Sequence, residues 1–111
     1  MSKFDEKMAQ YTAEFKDLGI KFDAGLFEKV TKGLGPSIYK ADAEKVSCSQ
    51  ASEMETVKKN FLMKKLGCSD GPKLDKALEA ACEKMGKSNR NKYRAMFYYL
   101  LVKEMGKESV Y

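Results

Sequence analysis

Apolar residues recur through most of the chain at the three- and four-residue steps of a helix, and no segment sustains strand-like alternation. Phe4, Met8, Tyr11, Phe15 and Leu18 form a first amphipathic stripe, with Ser2 and Asp5 spaced as a capping box and Gly19 as its stop. Asp23 is placed to cap a second helix through Leu26, Phe27 and Val30 to Gly33. The Gly33-Leu34-Gly35-Pro36 stretch then breaks the chain firmly. Residues 36–52 hold no long period and read as a loop with short helical pieces. Ser52 and Glu55 have capping-box spacing ahead of a helix with Met54, Val57, Phe61, Leu62 and Leu66 inward, ended by Gly67.

Asp70-Gly71-Pro72 opens the next helix, with proline in the first turn, where its missing N–H is harmless. Its buried stripe is Leu74, Leu78, Ala81, Cys82 and Met85, and it stops at Gly86. A last helix is expected from Ser88 or Asn89 to Met105. Its middle, AMFYYLLV, is apolar on every side, the mark of a central, enclosed helix. The expected fold class is all-α: one domain over residues 1–111, about five main helices, the last one central. At 111 residues the compact chain should have a radius of gyration of about 13 Å.

Five Leu-Gly or Met-Gly pairs end the segments at 18–19, 34–35, 66–67, 85–86 and 105–106. Their unequal spacing points to shared capping chemistry rather than a repeat.

Composition narrows the chemistry. Histidine is absent, which removes imidazole catalysis and His-ligated metal sites. Cys48, Cys68 and Cys82 are odd in number, lack C-x-x-C spacing, and read as free thiols of a reducing cytoplasm, with Cys82 in the core. The N-terminal sequence lacks a signal-peptide pattern. The longest apolar run, Ala95 to Val102, is far too short to span a membrane.

Charge is uneven. The net +5 lies mostly after residue 70, and Lys84 to Arg94 carries five positive charges, no negative one, and both arginines. Placed at the start of the last helix, these cations oppose the helix dipole by a few tenths of a kcal/mol each. Arg90 and Arg94 would share a face one turn apart, and the outline resembles a helix-turn-helix reader. Lys87, Asn89, Arg90, Asn91, Lys92 and Arg94 are therefore the candidate polyanion-binding residues, with nucleic acid the expected partner. The alternative is a protein-interaction or assembly module, in which the arginines dock an acidic partner or a second copy. Against both stands an internal seam, with Arg90 and Arg94 paired to acids such as Asp17, Asp23 or Glu28.

Other motifs fail on inspection. Gly86-Lys87-Ser88 lacks the upstream glycine and strand of a phosphate loop. Asp42 to Glu53 puts Val46 and Ser47 where a calcium loop needs an oxygen ligand and glycine. A thiol-dependent enzyme at Cys68 or Cys48 is the remaining catalytic reading. The expectation is a non-enzyme without metal or cofactor.

The stretches TKGLGPSIY (31–39), TVKKNFLMKKLG (56–67), DGPKLDKAL (70–78) and GKSNRNKYRAMFYYLLVKEMGKESV (86–110) are similar to a small bacterial family of unknown function, numbered DUF2853. GLGPSIY and GKSNRNKYR are its most specific strings. The resemblance implies a small helical, cytoplasmic bacterial protein and supplies no activity, cofactor or site residue.

Overall fold

The computed structural model describes residues 3–86, 89 and 92–111, without the side chains of Ala41 and Asp42. It is an all-α bundle. In chain order come α1 (Lys3–Asp17), α2 (Ala24–Gly33), a 3-10 turn (Gly35–Tyr39), the short α3 (Ala41–Glu44) and α4 (Ala51–Val57). A π-helical segment (Lys58–Lys65) continues α4 and is followed by α5 (Pro72–Met85), α6 (Arg94–Met105) and a final 3-10 turn (Glu108–Val110). The radius of gyration is 13.0 Å.

The central position expected for the last helix is observed. Every side chain from Ala95 to Val102 is buried, and α5 and α2 pack most extensively on α6. Phe15, Phe22, Phe27 and Tyr99 form an aromatic nest whose ring centroids lie 4.5–6.5 Å apart, joining α1, α2 and α6. Tyr99 keeps its polar end satisfied there by accepting a 2.7 Å bond from the Asp23 N–H. On another side, Phe61 from the π segment stacks on Tyr98 at 4.1 Å.

Local chemistry sets several ends as expected. Asp23 Oδ1 accepts from the N–H groups of Gly25 and Leu26, and Pro72 occupies the first turn of α5. Gly19, Gly67, Gly86 and Gly106 have positive φ beyond their helices. Three expectations need correction. Helix α2 runs through Gly33, and the left-handed residue is Gly35, with φ 64°. Ser52 lies inside α4, behind an N-cap Gln50 that makes no side-chain cap bond, so the Ser52–Glu55 capping box does not form. The π geometry of 58–65 has no periodic signal in the sequence. Its Leu66 N–H reaches back five residues to the Phe61 carbonyl at 2.9 Å.

The largest difference is at α6. It begins at Arg94, not at Ser88 or Asn89, so eight residues separate it from α5. A helix-turn-helix reader has a turn of about three or four residues, and that outline is lost. The reason is a tertiary contact. Tyr93 is extended, with ψ 133°, and forms an isolated antiparallel bridge with Lys45, while the Val46 N–H donates to the Lys92 carbonyl at 2.8 Å.

Candidate functional site

The basic segment before α6 is turned largely into the fold. Arg94 spends its guanidinium on three internal acceptors: the Ala43 carbonyl at 2.6 Å through Nε, Tyr98 Oη at 3.0 Å, and Glu53 Oε1 at 2.8 Å. It also lies over the Tyr98 ring, 5.6 Å from the centroid, and its side chain is 16% exposed. Lys92 is buried, at 6% exposure, and its Nζ donates to the Asn89 carbonyl. Asn89 donates through Nδ2 to the Met85 carbonyl at 2.9 Å, capping the end of α5.

All three expected polyanion ligands thus have internal partners: the cations Lys92 and Arg94, buried and partly buried, find the acceptors that burial requires, and the Asn89 amide caps α5. The seam expected for Arg94 exists, but its acid is Glu53 on α4 rather than Asp17, Asp23 or Glu28. Lys87, Arg90 and Asn91 lie outside the described residues.

The reading of three free thiols is also corrected. Cys48, on the turn after α3, and Cys82, on α5, form a disulfide across 34 positions of sequence. Cys68 is a buried free thiol. The core position expected for Cys82 holds, at 8% exposure, while Cys48 is half-buried. No short spacing signals the pairing; only the packing of the 45–50 turn beside α5 brings the sulfurs together.

The disulfide lines a cleft of about 430 Å³ between that turn, α4 and α5, together with Ser49, Met54, Asp75, Leu78 and Glu79. Met54, Leu78 and the two sulfurs give it an apolar wall. Its acids are consecutive turns of one helix, Asp75 and Glu79 standing four residues apart on α5, so both reach the same side. Asp75 shares Lys58 with Asp70, at 3.4 Å and 3.1 Å. Those contacts, led by the hydrogen bond to Asp70, raise the Lys58 ammonium above its ordinary pKa, and the same bond lowers Asp70. Glu79 makes no ion pair among the described residues and is exposed.

Sequence reasoning placed Met54, Leu78 and Cys82 on inward faces but passed over Asp75 and Glu79 beside them. The available signal was the set Asp75, Leu78, Glu79 and Cys82, whose steps of three, one and three place two acids beside a cysteine along one helix face.

Among the described residues, no group of three or more Cys, Asp or Glu side chains is arranged to hold a metal ion. None of the described helices is long and apolar enough to cross a membrane.

No curated protein matches the chain. A family model described as "Protein of unknown function (DUF2853)" matches residues 10–109 of the 111. With nearly the whole bundle covered, from the middle of α1 to the last 3-10 turn, the chain belongs to the DUF2853 family.

Proposed function

We propose that this protein is a non-enzymatic binding module whose site is the sulfur-lined cleft on α5, and that it takes a ligand joining an apolar body to a positive charge. The carrying observation is the pairing of an apolar wall from Met54, Leu78 and the Cys48–Cys82 sulfurs with the exposed carboxylate of Glu79. A volume of about 430 Å³ lies within the range of small-ligand sites, about 300–1,000 Å³. The carboxylates give such a site its sign. Asp75 is partly offset by Lys58, which leaves Glu79 as the main attraction for a cation.

The polyanion reading has less support. A phosphate-binding surface at residues 87–94 has lost Arg94 and Lys92 to internal partners and would rest on Lys87 and Arg90. An assembly role through the same arginines meets the same objection at Arg94. A bacterial, cytoplasmic setting fits the module best if the Cys48–Cys82 bond is reducible, since stable disulfides are rare in that compartment.

The test is binding of phenethylamine, a cation at neutral pH, compared with phenylacetate, an anion of closely similar shape. Nitrogen–proton NMR of the labelled chain should show shifts centred on Met54, Leu78 and Glu79 with the amine alone. Glu79→Gln should weaken them about threefold, the size expected of one partly screened surface charge. Equal binding of both compounds, or shifts centred elsewhere, would overturn the proposal.

A further inference from the structure

We infer that the Cys48–Cys82 bond is a thiol–disulfide exchange centre that opens toward thiols carrying a positive charge. The bond is part of the wall of the cleft described above rather than sealed in the core. Its two cysteines differ in exposure: Cys48 is half-buried on a turn, whereas Cys82 is 8% exposed on a packed helix. Exchange requires an incoming thiolate to reach one sulfur, so access directs attack to Cys48 Sγ.

That attack forms a bond between the incoming sulfur and Cys48, breaks the Cys48–Cys82 bond, and releases Cys82 as a thiolate, which takes up a proton. A second thiol then attacks the incoming sulfur and frees Cys48. The sum converts two small thiols into one small disulfide and reduces the protein pair to two thiols. The apolar surroundings of Cys82 disfavour its thiolate. Departure of Cys82 is slowed accordingly, and before the second thiol arrives a Cys82 thiolate recaptures Cys48 and expels the guest, whereas protonation of Cys82 preserves the mixed disulfide for the second thiol.

Selection follows from the rim. Glu79 stands one turn before Cys82 on α5 and has no ion pair among the described residues, so it raises the local concentration of a cationic thiol and lowers that of an anionic one. This charge preference rests on the cation-binding reading of the cleft; the exchange itself does not.

The experiment exposes the folded, oxidised chain, without denaturant, to cysteamine or to 3-mercaptopropionate. Each rate is normalised to the same thiol's reaction with 2-hydroxyethyl disulfide. Acid quenching, then alkylation in denaturant, counts thiols. The expected count rises from the single Cys68 thiol to all three cysteines. Peptide mapping of the first adduct should place cysteamine on Cys48, and the cysteamine-to-mercaptopropionate ratio should fall about threefold in Glu79→Gln. Glu79 is exposed, so this variant keeps its fold. A count that stays at one until denaturant is added, an adduct on Cys82, or a ratio unchanged by Glu79→Gln would overturn the inference. Phenethylamine has no thiol, so its failure to bind while exchange proceeds at Cys48 with a ratio that still depends on Glu79 would sink the binding proposal alone. Binding without exchange would sink this one alone.

Discussion

The segment leading into α6 and the cleft on α5 are opposites in how they use charge. The first is rich in cations, yet Arg94 and Lys92 are consumed by the fold, through Glu53, Ala43, Tyr98 and Asn89. The second lies on a helix of mixed charge, yet it leaves Glu79 exposed beside an apolar wall. Charge density along a sequence therefore says little about charge available to a partner. What counts is whether the fold has already supplied the counter-groups, from side chains and carbonyls alike. Extended backbone at Tyr93 lets Arg94 begin its helix beside α3 and α4, where the Ala43 carbonyl and the Glu53 carboxylate are waiting.

The largest effect should come from the cleft side. Replacing Cys48 and Cys82 together by serine releases a loop of 34 positions, and loop-closure entropy sets the loss at about 3.8 kcal/mol. Urea unfolding of oxidised native and variant chains measures it. A loss below about 1 kcal/mol would mean that the 45–50 turn is held as firmly by its contacts with Lys92 and Tyr93 as by sulfur.

Next comes the basic side. Arg94→Ala removes three hydrogen bonds and strands a partly buried carboxylate, for an expected cost of about 2–3 kcal/mol. In a double-mutant cycle with Glu53→Gln, the coupling should be about 1 kcal/mol, because the pair is only partly shielded from water. Absence of coupling would show that the Ala43 and Tyr98 contacts hold the guanidinium by themselves.

A smaller and pH-dependent effect belongs to Tyr11. Its hydroxyl is buried with no hydrogen-bond partner among the described residues, and burial, reinforced by the nearby Glu44 carboxylate, pushes its pKa well above the ordinary value of 10.0. The unfolded chain thus loses this proton first as pH rises, so the folded state is favoured fully below pH 10 and loses stability as pH climbs above it. Tyr11→Phe should flatten that alkaline decline. At neutral pH it should leave stability within about 1 kcal/mol of native or raise it, because the hydroxyl was desolvated without compensation. An undiminished decline in the variant would assign the alkaline limb to other groups.

The smallest expected change is the one that would reverse the comparison. Binding to a short DNA duplex at about 50 mM salt should have the same salt slope in native protein and in Arg94→Ala, since Arg94 faces Glu53 rather than solvent. A slope reduced by about one unit would return Arg94 to the polyanion surface.

Much of the fold was readable from particular residues. Asp23 and Pro72 mark helix starts through local hydrogen bonding and fixed φ, and Gly19, Gly67, Gly86 and Gly106 mark ends that need a left-handed residue. The unbroken apolar run from Ala95 to Val102 identified the helix that all others surround. The site was much less legible. Asn89, Lys92 and Arg94 were recognised as unusual, but their partners are side chains and carbonyls brought in from elsewhere in the chain, and composition carries no trace of those distances. The misplaced start of α6 has the same origin, a single bridge from Lys45 to Tyr93 that no local propensity encodes.

What the sequence determined by itself was an all-α chain with its caps, its stops and its central helix, because these follow from near-neighbour sterics and from periodic burial. The tertiary structure alone decided that Cys48 meets Cys82, that Arg94 meets Glu53, and that Glu79 stays exposed beside a sulfur-lined cleft. Each of these depends on how helices distant in sequence are set against one another, and pairing of that kind is fixed only when the whole core packs.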